Sequence, residues 1–136
     1  MSRLSLLVLA LVYSAPLNSN GADWLDSYEA AAEKAAESRK PMLLFYYRAN
    51  CKQCRKLETS TLANPKVKAR LDKFVLAKVD VAQNLKQLLR LKPSGNVTPY
   101  IIFTRADGRQ IFNTSGYVPA SLFVKRLDQA LAKSGG

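Results

Sequence analysis

The sequence predicts an α/β domain in which a central mixed sheet carries helices on both faces. Helical and strand-like patterns alternate along most of the chain, which is typical of parallel strands joined by helices. Near the C-terminus, two strand-like runs flank Ala106–Asp107–Gly108, a hairpin signal that adds an antiparallel edge. The length of 136 residues suits one domain, since single domains commonly have about 100–200 residues.

The first half of the chain shows helical periodicity on either side of one apolar run. A helix is expected over Trp24–Ser38, where apolar residues recur at helical spacing and Asp23 is placed to cap them. Met42–Tyr47 is an unbroken apolar and aromatic run, short enough to be a buried strand. The next helix should begin at Cys51, with Asn50 as its cap.

The second half supplies the remaining helices and strands. Asn64–Pro65 is a cap followed by proline at the first helical position, and Gly116 breaks the chain before Pro119 opens the last helix. After the first strand the predicted elements are helices from Cys51 toward Leu62 and over Pro65–Leu71, a strand over Phe74–Val81, a helix over Asn84–Leu91, a loop over Lys92–Asn96, strands over Tyr100–Thr104 and Gln110–Asn113, and a helix to about Lys133.

Composition excludes several classes of active site. The chain has no histidine, so neither a Ser–His nor a Cys–His nucleophile pair can be built. Two cysteines and carboxylates are a poor ligand set for zinc, so we expect no metal and no other cofactor. Lysine and arginine outnumber acidic residues 21 to 10. An acidic partner, nucleic acid or an anionic membrane would attract this charge, but the basic residues are spread along the chain, which favours a basic, well-dispersed protein without nucleic acid.

The first residues have the layout of a secretory signal. Arg3 gives a positive start, and the apolar run Leu4 to Val12 is far shorter than the roughly 20 residues that span a bilayer. Small and polar residues follow, so we expect residues 1–21 to be a signal peptide cleaved after Gly21 and residues 22–136 to be the domain. The protein would then be periplasmic and meet the membrane only during export. An uncleaved anchor or a buried N-terminal helix is the alternative.

The C-K-Q-C run that starts at Cys51 is the candidate active site. Export places the two cysteines in an oxidising compartment, but a structural disulfide usually closes a longer loop. The unpaired N–H groups at a helix start favour an anion, so Cys51 is expected to be the nucleophilic thiolate and Cys54, one turn on, the resolving cysteine. Lys52, Arg48 and Arg55 add positive charge that should lower the pKa of Cys51 further. A metal site and an inert cysteine pair are the alternatives.

Pro99 indicates a second part of the site. It stands at the start of a predicted strand, where proline is ordinarily unwelcome. A cis bond between Thr98 and Pro99 would bring this backbone beside the cysteines and leave Thr98 free to pair with an extended substrate.

These motifs together resemble the thioredoxin family, and within it the C-terminal thioredoxin-like domains of periplasmic DsbD-type thiol:disulfide interchange proteins and their single-domain relatives. The matching residues are Lys40–Pro41, Tyr47, Cys51, Cys54, Glu58, the segment Asn64–Pro65–Lys66–Val67, Thr98–Pro99 and Gly116. The resemblance implies a thioredoxin-like fold and a thiol–disulfide exchange enzyme. Its redox group would be the Cys51–Cys54 disulfide, with Pro99 in cis beside it.

Three positions depart from the family pattern. The acidic residue usual six positions before the first cysteine is Phe45, and Asn50 replaces the usual tryptophan. The dipeptide between the cysteines is Lys–Gln, neither the Gly–Pro of cytosolic reductants nor the Pro–His of strong oxidants. Glu58 matches a glutamate of the DsbD-type domains and is our candidate for removing the proton of Cys54. The alternative is that Glu58 is a solvated helix residue paired with a neighbouring base.

The direction of electron flow stays open at this point. Charge that stabilises the Cys51 thiolate stabilises the reduced form, which favours an oxidant or an isomerase, and a threonine before the proline is shared with periplasmic isomerases. The resemblance implies instead a reductase of protein disulfides that receives electrons from a membrane donor of the DsbD type. We favour the reductase, acting as a monomer. The alternatives are an isomerase or oxidase, and a redox-inactive binding module with a basic surface.

Overall fold

The computed structural model describes residues 22–135. The predicted signal peptide, residues 1–21, lies outside the described residues. From residue 22 to residue 135, no helix is long and apolar enough to cross a membrane.

Five strands form one sheet in the order β1-β3-β2-β4-β5. The strands are β1 (Trp24–Leu25), β2 (Met42–Tyr47), β3 (Val75–Asp80), β4 (Tyr100–Thr104) and β5 (Gln110–Ser115). Strand β3 pairs in parallel with both β1 and β2, whereas β2 with β4 and β4 with β5 are antiparallel. The predicted mixed sheet is confirmed, and the hairpin forms its antiparallel edge.

Five helices cover the sheet. They are α1 (Tyr28–Ser38), α2 (Lys52–Lys56), α3 (Pro65–Leu71), α4 (Val81–Arg90) and α5 (Ala120–Ser134). Helix α2 continues without a break into a π-helical turn over Leu57–Thr61, here called the π segment. Insertions of this kind occur often at functional sites.

The two faces of the sheet carry separate apolar clusters. Successive residues of β2 point to opposite faces. Leu43 and Phe45 pack in the cluster that includes residues of α2, α3 and α5, whereas Leu44 and Tyr46 pack in the cluster with residues of α1 and α4. Helices on both faces explain why the sequence of β2 is apolar throughout. Cys54 belongs to the first cluster, so the second cysteine of the motif lies in the core.

The first predicted helix begins later than expected. Trp24–Leu25 forms β1 at the edge of the sheet, and the Trp24 ring packs edge-on against Phe45 with the ring centroids 6.2 Å apart. Ser27 caps α1, since its Oγ accepts a first-turn N–H at 3.1 Å. The predictions of a helix from Trp24 and of Asp23 as its cap are therefore wrong, because pairing with β3 prevails over the local helical pattern.

Two further predicted boundaries, the start of α4 and the end of β5, differ from those in the structure. The Asp80 carboxylate accepts an N–H of the first turn of α4 at 2.9 Å, so β3 ends there and α4 begins at Val81. The predicted start at Asn84 is wrong, although Asn84 does interrupt the helix with a φ of −134°. Strand β5 continues to Ser115, beyond the predicted end at Asn113.

Candidate active site

The two cysteines lie beyond the carboxyl end of β2, at the start of α2. The chain turns through Asn50, whose φ of 58° lies in the left-handed region that asparagine tolerates. Cys51 is the N-cap of α2, and its Sγ accepts the backbone N–H of Cys54 at 3.1 Å. The prediction that Asn50 caps this helix is wrong because Asn50 forms the turn and the cysteine itself takes the cap position.

Cys51 and Cys54 form a disulfide, with their Cα atoms 5.2 Å apart. Cys51 is half-buried, whereas Cys54 is only 4% exposed. Of the two cysteines, Cys51 is therefore the one that solvent reaches. Within residues 22–135, no group of three or more histidine, cysteine or acidic side chains is arranged to hold a metal ion.

Thr98 lies directly against the nucleophile position. Its Oγ1 is 3.2 Å from Cys51 Sγ, and the Thr98–Pro99 peptide bond is cis. The backbone N–H of Gly116 donates to the carbonyls of Val97 at 3.1 Å and of Pro99 at 2.9 Å. These bonds fix the loop before β4 beside the end of β5. The structure thus brings Thr98 and Cys51 together from positions 47 residues apart.

Gln53 makes a contact that the sequence analysis missed. Its Oε1 accepts the backbone N–H of Tyr117 at 2.8 Å and ties the first turn of α2 to the loop before α5. Gly116 has a φ of 83°, and a Cβ added there would lie 3.2 Å from Gln53 Oε1. Glycine therefore leaves room for the Gln53 side chain. A glycine at a strand end was the one sequence signal for such a close approach.

The Tyr117 side chain is held against α2 and the π segment. Lys56 Nζ lies 4.3 Å from the centroid of its ring, and its hydroxyl is 3.3 Å from Ser60 Oγ. Hydrogen bonding to Ser60, then to Thr61, and the nearby charge of Lys56 lower the pKa of Tyr117. These contacts and the Gln53 hydrogen bond together link α2 and the π segment to the loop before α5.

Glu58 lies in the π segment and forms an ion pair with Lys78 of β3. Both side chains are partly exposed to solvent. Lys78 stands opposite Phe45 in the register of β2 and β3, and its Nζ is 4.8 Å from the Tyr47 ring centroid. The pair is therefore beside the position at which the family resemblance implies a buried acid. The contact with Lys78 matches the second expectation for Glu58, pairing with a neighbouring base.

Arg48, Lys52 and Arg55 line the solvent side of the site, and all three are exposed. Arg48 lies in the loop after β2, Lys52 is the first residue of α2, and Arg55 directly follows the buried cysteine. Their charges have the same sign as the partial charge at the N-terminus of the helix that Cys51 caps.

Known proteins share this sequence pattern over most of the chain. A family model described as thioredoxin-like matches residues 23–125. The thiol:disulfide interchange protein DsbD of Vibrio vulnificus (strain CMCP6) is 31% identical over 99 residues, which cover 70% of this chain and 17% of that protein. DsbD of Cronobacter sakazakii (strain ATCC BAA-894) is 34% identical over 96 residues, which cover 68% of this chain. The chain thus spans 17% of the length of each of these relatives.

Solved structures share the fold. A thioredoxin from Thermus thermophilus superposes with a TM-score of 0.74 at 24% identity, over 85% of this chain and 92% of that one. The C-terminal domain of Neisseria meningitidis DsbD in the reduced form gives a TM-score of 0.61 at 27% identity, over 75% of this chain and 92% of that one. The chain therefore belongs to the thioredoxin-like family, and its Cys51–Cys54 pair lies in a domain similar to the C-terminal domain of DsbD.

Proposed function

We propose that this protein reduces disulfide bonds in exported protein substrates. The observation that carries the proposal is the unequal exposure of the cysteines, since a half-buried Cys51 at a helix start is bonded to a buried Cys54. An accessible nucleophile backed by a protected resolving thiol is the arrangement that thiol–disulfide exchange requires. The name of the similar proteins from Vibrio vulnificus and Cronobacter sakazakii, thiol:disulfide interchange protein, supports the same chemistry.

The reaction consists of two exchanges. In the first, the Cys51 thiolate attacks one sulfur of the substrate disulfide; a Cys51–substrate bond forms, the substrate S–S bond breaks, and the released thiolate takes a proton from water. In the second, Cys54 loses its proton and attacks Cys51 Sγ. The Cys51–Cys54 bond forms and the second substrate thiolate leaves. Two electrons and two protons pass to the substrate, and a dithiol donor must then reduce the pair again.

Glu58 is proposed to accept the proton of Cys54 in the second exchange. It follows Cys54 by four residues and is the carboxylate of the π segment, while Phe45 supplies no acid beneath the pair. Replacing Glu58 by glutamine should slow resolution of the mixed disulfide by about 100-fold, the lower end of what a positioned acid–base group contributes. The resolution rate of Glu58→Gln should also depend more steeply on pH at alkaline pH, because solvent hydroxide then removes the proton of Cys54.

Two control variants separate this role from a structural one. Lys78→Met breaks the same ion pair but keeps the carboxylate, so it should retain most of the resolution rate. Glu33→Gln changes an exposed acid on α1 and should have no effect. Equal rates in Glu58→Gln and the wild type, or equal losses in Glu58→Gln and Lys78→Met, would assign Glu58 to the ion pair alone.

Residues 1–21 are proposed to direct the protein to the periplasm and to be removed there. The positive start, the short apolar run and the small residues before position 22 support this assignment. In that compartment a monomeric protein would receive electrons from a membrane donor of the DsbD type and pass them to protein substrates. Detection of a mature N-terminus at residue 22 in periplasmic extracts would test the assignment.

Isomerase or oxidase activity is the second candidate function. The Thr98 hydroxyl at 3.2 Å from Cys51 Sγ and the positive charge around Cys51 both favour it, because each stabilises the thiolate and so the reduced form. A redox-inactive binding module is the third. It would retain its partner after both cysteines are replaced by serine, whereas the enzyme would lose its activity.

The reduction potential of the Cys51–Cys54 pair distinguishes these candidates. It is measured by equilibrating the protein with glutathione or dithiothreitol buffers and alkylating the free thiols. A value near the roughly −270 mV of thioredoxin supports the reductase, and one near the roughly −120 mV of DsbA overturns it in favour of an oxidant or isomerase. Cys54→Ser should in addition trap a mixed disulfide with insulin, and Cys51→Ser should not. A pair that does not titrate reversibly would exclude enzyme function.

A further inference from the structure

Four basic side chains form an exposed edge around the reactive cysteine, here called the basic rim. The rim consists of Arg48 in the loop after β2 and Lys52, Arg55 and Lys56 in α2, all exposed to solvent. Among residues 22–135 the side-chain ion pairs are Arg70–Asp128, Lys78–Glu58 and Arg109–Asp107. The rim therefore presents four positive charges that no carboxylate of the described chain neutralises by direct contact.

The acids nearest to the rim are engaged elsewhere. Asp80 lines the same surface hollow as Arg48, but its carboxylate accepts an N–H at the start of α4. Glu58 follows the rim along the helix, but it is paired with Lys78. Glu58 is thus neutralised by Lys78, and the charge of Asp80 lies near Arg48 without a direct ion pair. The three lysines and arginines of α2 keep their positive potential, which adds to that of the N-terminus of α2.

Half of the acidic residues lie in the N-terminal part of the described chain. Five of the ten acidic residues lie between positions 23 and 37, in β1 and α1 and the residues around them. Helix α1 packs in the apolar cluster with the even-numbered residues of β2, whereas α2 packs in the cluster of the odd-numbered residues. The three acids of α1 therefore lie across the sheet from α2, the helix that carries three of the four rim residues.

We propose that the basic rim selects disulfides flanked by acidic residues, so that the preferred substrates are proteins with aspartate or glutamate next to the reacting cysteine. This inference rests on the proposed function. The rim surrounds the only half-exposed sulfur of the described residues, so a partner must approach through its field. Charged surfaces of this kind raise association rates by about 10–1,000-fold for a ligand of opposite sign.

A carboxylate-bearing protein fits the rim better than a nucleic acid does. Stacking of bases needs exposed aromatic faces. Lys56 occupies one face of the Tyr117 ring beside the rim, and Phe45 and Phe103 are fully buried. The rim therefore offers point charges next to a reactive sulfur, which suits the carboxylates of a protein that also carries the disulfide.

The test compares two disulfide-bonded hairpin peptides that differ only in their flanks, four aspartates in one and four lysines in the other. The full chain is reduced, mixed with each peptide at low ionic strength, and its rate of oxidation is followed by quenching and alkylation. The same rates are measured for the charge-reversed variant Lys52→Glu/Arg55→Glu. Dividing the acidic-to-basic ratio of the wild type by that of the variant cancels the intrinsic reactivity of each peptide and each thiolate.

We expect this double ratio to be at least about tenfold and to fall toward one in about 1 M salt, where the screening length is only about 3 Å. Lys73→Glu is the matched control, because Lys73 is exposed in the turn that enters β3. Since β2 and β3 are parallel, this turn lies at the end of the strands opposite to the cysteines. It should retain the ratio of the wild type. A double ratio of one at low salt, or an equal loss in Lys73→Glu, would overturn the proposal.

Bis(2-hydroxyethyl) disulfide, which carries no charge, separates failure of this inference from failure of the proposed function. If the wild type reduces it but treats the two peptides alike, the acidic preference is wrong and the oxidoreductase stands. If the wild type reduces none of the three disulfides, the proposed function fails and the inference fails with it. If a single-stranded DNA oligomer blocks reduction of the neutral disulfide while the peptides react alike, the rim binds nucleic acid and the proposal is overturned.

Discussion

Replacing Thr98 by valine should make the protein a stronger reductant. The substitution keeps the branched shape of the side chain but removes Oγ1, which lies 3.2 Å from Cys51 Sγ. A hydroxyl that donates to a thiolate stabilises the reduced form, whereas a disulfide sulfur is a weak acceptor. Loss of the hydroxyl therefore destabilises the reduced state more than the oxidised state.

The size of the effect follows from the strength of one charge-assisted hydrogen bond. Such bonds contribute about 1.5–3 kcal/mol, and the half-buried position of Thr98 favours the lower end. For a two-electron couple about 1.4 kcal/mol corresponds to 30 mV. We therefore expect the potential of Thr98→Val to fall by about 30 mV, together with a rise in the pKa of the Cys51 thiol.

Equilibration with dithiothreitol gives the potential, and the ultraviolet absorbance of the thiolate against pH gives the protonation of Cys51. Thr114→Val is the matched control, because Thr114 Oγ1 is buried and has no hydrogen-bond partner within the described part of the chain. Its removal should leave the potential unchanged. An unaltered potential in Thr98→Val, or an equal shift in Thr114→Val, would refute the argument that the hydroxyl stabilises the thiolate.

Three other substitutions test the contact of α2 with the loop before α5, the cap of α4 and a buried hydroxyl of the core. Gln53→Ala removes the acceptor for the Tyr117 N–H, so urea unfolding should show a loss of about 0.5–1.5 kcal/mol and this amide should exchange faster; unchanged exchange would contradict the contact. Asp80→Ala removes the cap of α4 and should cost about 1 kcal/mol in the same assay, while Asp80→Asn should cost less. Burial raises the pKa of Tyr46, so its neutral hydroxyl contributes stability below about pH 10 that is lost as pH rises through the higher folded-state pKa. Tyr46→Phe should therefore lose stability less steeply above pH 10, and an unchanged alkaline profile would contradict this.

Strands β2 and β1 show how far the sequence determines the fold. The bounds of β2 were predicted from its composition alone, because helices on both faces bury residues 42–46 and so require an unbroken apolar run. Strand β1 was missed because two residues carry no periodicity, and Trp24 fits a helical stripe as well as it fits a strand. Its place is decided by pairing with β3 and by contact with Phe45, interactions that sequence spacing does not encode.

The active site likewise contains some features that the sequence predicts and others that it does not. The short spacing of Cys51 and Cys54 suits the disulfide, since residues three apart meet at a helix start. The cap of α2 was expected at Asn50 and is instead formed by Cys51. The contact of Gln53 with Tyr117 joins positions 64 residues apart through one side-chain conformation, so no local pattern predicts it. The π segment is equally hidden, because its sequence is an ordinary helical one.

Because Phe45 stands where the family has a buried acid, the carboxylate that we propose to serve Cys54 lies in the π segment instead. Phe45 is fully buried and packs in the same cluster as Cys54, so the core below the disulfide is apolar. The nearby charges belong to Glu58 and Lys78, which lie beside Phe45 and are partly open to solvent. A proton leaving Cys54 toward Glu58, as we propose, would pass at once into exchange with water rather than remain buried. The second exchange would then respond to the pH and salt of the surroundings, because an exposed ion pair is screened and a buried one is not.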